Sequence, residues 1–343
     1  MNIVSLDLHA EASQMYVCDE NGRTLMQMRV PTDPDRLRQA VEAICAPRCV
    51  IFEEGPLSAL VCRALEGVAD RIVSCDPTHN ALIALDEASN DERDARHLAE
   101  LFRLEATRQV YIPREPYLSL RSLLSHRLST VQLGTRVKNR IKALARRWGM
   151  HAGGTVLYEA RSRALALDRI ESDVARWQIQ SLWRTLDSLE AEIQGAHKKI
   201  LHALRRFEVA SRLCTVPGVG EITSATLIAW IADPWRFQSR NAIISYCGLG
   251  LGQNVTSWQQ IGPARASLRG NRQLKRVLLL AAGAAAKSHS ALGRYWAGRM
   301  RQGWEQRRML RDMARKILRI SWSIMKKGDT YDDSKVRGPI IAR

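Results

Sequence analysis

Long apolar runs, paired cysteines and lysine are all scarce in this 343-residue chain, and each shortage removes a class of protein. No apolar stretch reaches the roughly 18 residues a membrane-crossing helix needs. The longest, Val277 to Ala286, is hemmed in by Lys275, Arg276 and Lys287. The opening MNIVSLDLHAE places no basic segment ahead of an apolar one, so no secretory leader and no membrane association are expected. Seven cysteines form no Cys-x-x-Cys pair. Cys45 and Cys49 are the closest two, with no histidine or second cysteine pair at zinc-ligand spacing. An odd count without a leader points to reduced thiols and a cytoplasmic setting. Apolar residues at 45% exclude general disorder, and 21 glycines without a three-residue period exclude collagen.

Acid is the next shortage, and it is local. Residues 1–100 carry 9 Lys and Arg against 18 Asp and Glu, net −9; the rest carries 43 against 17, net +26. Only 10 of the 52 basic residues are lysine. A GC-rich genome accounts for arginine over lysine but not for the surplus. A basic body of this size is the footprint of a phosphate-backbone partner, and guanidinium forks match phosphate bidentately.

Length suggests two or three domains. Residues 2–8, 14–18 and 23–30 read as strands, the last two joined by the Asp19-Glu20-Asn21-Gly22 turn. Helices are expected over 33–45, 57–68 and 78–106, with short strands at 48–53 and 71–75. This order predicts a mixed sheet with flanking helices. After Pro113 and Pro116 the pattern turns helical. Residues 117–148 make one long helix, whose polar face carries Arg121, Arg127, Arg136, Lys138, Arg140, Lys142, Arg146 and Arg147. A second runs from about 170 to 207. There Ile179, Leu182, Leu186, Leu189, Ile193, Ala196 and Ile200 alternate steps of three and four, a heptad seam. The seam serves either a coiled coil between chains or a hairpin within one. A third, helical region begins near 211, broken by loops at 216–220 and about 247–270. Residues 329–343 are expected to fray.

Two constellations carry chemistry. Asp7 and Glu53 each close an apolar strand, and neighbouring strands would bring both carboxylates to one sheet edge. Strand alternation leaves Glu54 as the alternative to Glu53. Asp91 and Asp94, three apart on a helix, share a face. Four such acids either lie solvated on the surface or gather on a divalent cation, where hard oxygen ligands favour Mg²⁺ or Mn²⁺. Farther on, Val216-Pro217-Gly218-Val219-Gly220 precedes an apolar helix. Gly218 and Gly220 there either free backbone N–H groups for a phosphate or merely make a tight turn. Arg265, Arg269, Arg272, Lys275 and Arg276 crowd a late loop and helix start, suited to scissile phosphates or to solvent.

Ile3-Val4-Ser5-Leu6-Asp7, Phe52-Glu53-Glu54-Gly55 and Asn90-Asp91-Glu92-Arg93-Asp94-Ala95 resemble blocks of the DEDD-type insertion-sequence transposases. That family includes the pilin-gene invertase and the bridge-RNA-guided recombinases. The Pro-Gly-x-Gly turn, Tyr246-Cys247-Gly248-Leu249 and Ser267-Leu268-Arg269-Gly270-Asn271-Arg272 resemble its C-terminal blocks. The chain departs from the family's usual pattern in the block Glu53-Glu54-Gly55-Pro56, where the family often has Glu-Ala-Thr-Gly, and at Ser89-Asn90. The resemblance implies an α/β N-terminal domain similar to the RuvC resolvase, RNase-H-like, over 1–115. It implies a helical coiled-coil region over 116–208 and a mostly α-helical transposase domain over 209–328, followed by a flexible tail over 329–343. Asp7, Glu53, Asp91 and Asp94 would be the metal-binding acids. Ser257, with Thr256 as the alternative, would be a nucleophile on DNA.

The implied partners are donor and target DNA, a noncoding guide RNA, and further copies of the chain as a homodimer or homotetramer in a prokaryotic cell, associated with its nucleoid. In the family the acids of one subunit stand beside the serine of another. Arg136, Lys138, Arg140 and Lys142 suit either nucleic acid, since backbone contacts dominate affinity in both. The same residues also fit a metal-dependent Holliday-junction-type nuclease without a covalent intermediate, or a non-catalytic nucleic-acid-bridging protein.

Overall fold

The computed structural model describes residues 1–77, 91–149, 157–252, 255–256, 259–260, 265–266 and 270–336; for residues 91, 92, 251–252, 255–256, 259–260 and 265–266 it describes the backbone alone. The chain divides into two units, Met1–Pro113 and Arg114–Arg343. Among the described residues no helix is long and apolar enough to cross a membrane.

The first unit is built on a six-stranded sheet: β1 (Asn2–Asp7), β2 (Ala12–Cys18), β3 (Thr24–Pro31), β4 (Arg48–Glu53), β5 (Arg71–Cys75) and β6 (Gln109–Val110), in the order β3-β2-β1-β4-β5-β6. β1, β2 and β3 form an antiparallel meander, whereas β4 runs parallel to β1 and β5 parallel to β4. The period-2 pattern splits the apolar residues between two faces. Val4, Leu6, Met15, Val17, Val50 and Phe52 pack with Leu37 and Val41 of α1 (Pro34–Glu42) and Val61 and Leu65 of α2 (Ser58–Leu65). Ile3, Tyr16, Cys49, Ile51 and Val73 pack on Ala95, Leu98 and Ala99 of α3 (Asp91–Arg103). With both faces covered, β1 and β4 read as continuous apolar runs. Asp33 starts α1 by accepting from the Asp35 and Arg36 N–H groups, and Pro34 loses no hydrogen bond in the first turn. Of the helical stretch expected over 78–106, residues 78–90 lie outside the described residues.

The second unit is helical. α4 (Tyr117–Arg147), α5 (Ala160–Asp168) and α6 (Asp173–Leu204) lead into α7 (Val209–Cys214), α8 (Glu221–Ile231) and α9 (Arg240–Tyr246). Four two-residue strands follow: β7 (Leu251–Gly252), β8 (Val255–Thr256), β9 (Gln259–Gln260) and β10 (Arg265–Ala266). α10 (Arg272–Ala285), α11 (Ala291–Arg301) and α12 (Gln306–Lys327) complete the unit. Leu120 and Leu124 share a core with Ile200 and Leu204, while Ile141 and Ala145 share one with Ile179 and Trp183. α4 and α6 are therefore an antiparallel hairpin. His126–Glu192 and Lys138–Glu190, each 2.9 Å, bridge its surface. Within the seam, Ile179, Leu186, Ala196 and Ile200 are buried inside the chain, and Leu182, Leu189 and Ile193 are half-buried.

The segment expected to fray from 329 is held in part. The Asp333 carboxylate accepts from the Ala291 N–H, from Arg294 and from the Tyr331 hydroxyl, and the Tyr331 N–H donates to the Thr215 hydroxyl. These bonds tie the end of the described chain to the start of α11 and to the end of α7. Burial pushes the Cys247 thiol far up, which makes it an inert core residue.

Candidate functional site

Asp7 and Glu53 end adjacent parallel strands whose register pairs Leu6 with Phe52. Asp7 continues the phase of Ile3 and Ser5, and Glu53 that of Cys49 and Ile51. Both therefore belong to the sheet face on which α3 packs. Glu54 falls out of that phase, and its N–H donates to the Cys75 carbonyl. α3 opens with Asp91, Glu92, Arg93 and Asp94. A helix start favours carboxylates, because the dipole presents its positive end there. Asp94 is exposed in the first turn, one residue ahead of buried Ala95. The Asp91 side chain lies outside the described residues. Asp7, Glu53 and the first turn of α3 thus belong to one side of the sheet.

Among the described residues no three His, Cys, Asp or Glu side chains stand close enough together to hold a metal. The donor set itself consists of hard oxygens, which suits Mg²⁺ or Mn²⁺. Sequence reasoning missed His9, whose Nε2 lies 2.9 Å from Asp7 Oδ2. Its only signal was its place two residues after Asp7.

In the second unit two of the motif glycines, Gly218 and Gly270, have packing reasons. Gly218 has φ +85°, and a Cβ there would stand 2.2 Å from the Ala281 carbonyl oxygen and 2.8 Å from the Ala285 nitrogen of α10. The turn at 216–220 is thus a close contact between backbones. Gly220 precedes α8, and a Cβ there would meet nothing within 4 Å. Glu221, in the first turn of α8, lies 3.6 Å from His197. Gly270 has φ +102°, and a Cβ there would stand 2.5 Å from the Gly248 nitrogen. The Asn271 N–H donates to the Tyr246 carbonyl, and its side-chain oxygen accepts from the Leu274 N–H, capping α10. The Gly-Leu and Gly-Asn-Arg blocks therefore cross at the root of segment 250–270.

Ser257 and Arg269 lie outside the described residues. Thr256 is placed in β8 opposite Gln259, and Arg265 in β10 opposite Gly252. Arg272 and Arg276 are exposed at the start of α10, and Lys275 is half-buried. Burial lowers the affinity of Arg127 for its proton, and nearby Arg276 adds to this. On α4, Arg136 and Arg140 are exposed. Lys138 pairs with Glu190, and Lys138 and Lys142 sit 5.5 and 5.7 Å over the Tyr158 ring. Arg121, expected on the open basic face, instead donates to the Ala229 carbonyl and stacks 4.3 Å from Trp230. No sequence signal marked Arg315, whose Nε donates to the Leu249 carbonyl at 2.8 Å, directly before segment 250–270.

Comparisons with known proteins meet this division. Residues 4–148 match the DEDD_Tnp_IS110 transposase family, and residues 210–297 match the Transposase IS116/IS110/IS902 family. A transposase for insertion sequence element IS1111A from Coxiella burnetii is 22% identical over 96% of this chain and 91% of its own length. A putative transposase y4pF/y4sB from Sinorhizobium fredii is 25% identical over 71% of this chain, and the chain spans 64% of that protein. A pilin gene-inverting protein from Moraxella lacunata is 26% identical over 36% of this chain and 38% of its own. The chain belongs to the IS110-type family of insertion-sequence transposases.

Proposed function

We propose that the chain is a DNA recombinase that moves an insertion sequence by cutting and rejoining its ends. The observation that carries this is the placement of Asp7 and Glu53 at adjacent strand ends, on the sheet face covered by the helix that begins with Asp91 and Asp94. In this reading the first unit is the RNase-H-like domain, 1–115. The helical region 116–208 joins it to the transposase domain, 209–328. Asp7, Glu53, Asp91 and Asp94 hold Mg²⁺ or Mn²⁺. The phase of β4 supports Glu53 over Glu54. When bound, the metal would polarise a phosphoryl oxygen.

The Ser257 hydroxyl, or that of Thr256, attacks the scissile phosphorus. An O–P bond to the side chain forms, the bond to the leaving sugar oxygen breaks, and that oxygen takes up the proton the hydroxyl loses. Reversal with a new strand's hydroxyl rejoins DNA without an external energy source. Exposed Arg272 and Arg276, with Lys275, Arg265 and Arg269, would neutralise the phosphates. Exposed Arg136 and Arg140 of α4 suit the phosphate backbone of DNA or of a guide RNA. The active form would be a homodimer or homotetramer.

The test is to incubate the protein with Mg²⁺, element-end DNA and RNA from the element's flanks, then to run denaturing gels and peptide mass spectrometry. A protein–DNA adduct on Ser257 or Thr256 is expected. Free cleaved ends without adduct, in an assay shown to trap adducts, would replace this reading with a metal-dependent nuclease. Rearrangement untouched by Asp7→Ala would remove the acids from the chemistry.

A further inference from the structure

α12 carries eight cations against the single acid Asp312, a surplus outside every block discussed above. Met309, Met313, Ile317, Leu318 and Ile324 face the core. At 3.6 residues per turn, Arg308, Arg315, Arg319 and Lys326 fall within about 40° of one another on the opposite side, along roughly 27 Å of helix. The row is crowded. Burial, with Arg311 and Arg319 adding, holds the Arg315 guanidinium below its ordinary range despite Asp312.

Indoles stand at both ends of the row. Arg308 lies 4.5 Å over Trp304. Lys326 Nζ lies 3.9 Å from the Trp322 ring and 4.6 Å from that of Trp235. Trp322 Nε1 donates to the Pro234 carbonyl, which fixes the short turn bearing Trp235 against α12. Trp235 is nonetheless 68% exposed. Burying an indole is a large gain, so a rigid one left in water beside a cationic row offers a stacking platform. Midway along the row, Arg315 holds the Leu249 carbonyl at the root of segment 250–270.

We infer that this row binds an unpaired DNA strand, with phosphates along Arg308, Arg319 and Lys326 and a base stacked on Trp235. A duplex keeps its base faces stacked on each other, so only an unpaired base uses the indole. The choice of DNA rests on the recombination reading: a broken strand yields an unpaired end, and the row touches the root of the segment bearing the proposed nucleophile.

The test is fluorescence anisotropy of the full chain on a labelled deoxythymidine homopolymer long enough to cross the row. A uridine homopolymer of equal length and a DNA duplex serve as comparisons. Trp235→Ala should weaken deoxythymidine binding by about 5- to 150-fold, with most affinity kept by Trp235→Phe. Arg308→Gln combined with Arg319→Gln should flatten the log–log salt slope by about 1.4. These side chains are surface groups, and circular dichroism melts identical to the parent's would verify folding.

Parental affinity in both variants overturns the inference. So does an equal loss on duplex, or a loss confined to the uridine homopolymer. The readout needs no cleavage, so the two proposals fail separately. A parent that leaves element ends intact while the variants lose strand binding sinks the recombinase alone. A parent that cuts while the variants bind normally sinks the row alone.

Discussion

Replacing Gly218 by alanine separates two roles for the Pro-Gly-x-Gly turn. As a phosphate cradle, the turn would lose nucleic-acid affinity. As a backbone contact, it would lose stability. An L-residue at positive φ costs about 1–2 kcal/mol. The new Cβ would also stand 2.2 Å from the Ala281 carbonyl oxygen, an atom fixed in α10, so backbone must shift. Overpacking of this kind costs about 1–3 kcal/mol. The sum is about 2–5 kcal/mol, or roughly 4–20 °C in melting midpoint for a unit of this size. Gly270→Ala should behave alike, since its Cβ would meet the Gly248 nitrogen at 2.5 Å. Gly220→Ala meets open space and should cost about 1 kcal/mol or less, the difference between Gly and Ala at a helix start. The assay is thermal and urea denaturation of the full chain followed by circular dichroism, beside DNA anisotropy below the melting range. A Gly218→Ala protein that melts with the parent yet loses DNA affinity would refute the packing argument.

Three further outcomes follow from the same geometry. Asp7→Ala and Asp91→Ala should each abolish strand cleavage while leaving DNA affinity within about twofold on gel shift, because removing a carboxylate deletes no cationic phosphate contact. Phe52→Ala, fully buried beneath α1 and α2, should lower stability by about 3–5 kcal/mol, read by urea titration. The Asp187 carboxylate is held below the usual aspartate range, chiefly by its two 2.6 Å hydrogen bonds from Arg163. A depressed folded value means stability that is present above the unfolded pKa of about 3.9 and is lost as pH falls through the folded value. Asp187 is half-exposed, so screening limits the contribution to about 1 kcal/mol or less. Asp187→Asn should lower the melting midpoint at pH 7 and leave it unchanged near pH 2; a constant offset at both would refute the linkage.

Much of this was legible in the chain because periodicity reports burial. The apolar runs of β1 and β4, the Asp19–Gly22 turn and the two long helices all follow from local pattern, and the structure places them within a few residues of expectation. The heptad seam was half legible. Its spacing marked a buried stripe, but a repeat of three and four says nothing about whether the partner is another chain or the preceding helix. In the structure the stripe is shared with the preceding long helix: Leu120 and Leu204 belong to one buried cluster, Ile141 and Ile179 to another.

Arginine was the least legible residue. Arg121 and Arg136 look alike on a helical wheel, yet one stacks on Trp230 and bonds two carbonyls while the other faces water. The same ambiguity hid Arg315, whose target carbonyl lies 66 residues away. Motif glycines mislead in a parallel manner. Gly218 and Gly270 sit in blocks that suggest contact with phosphate, but each stands where another backbone passes too closely for any side chain. Presence in a motif therefore does not separate a glycine that touches substrate from one that shapes the scaffold. At Gly220 the open space removes the packing explanation, which makes it the glycine of this turn where a binding role can be tested without a large loss of stability.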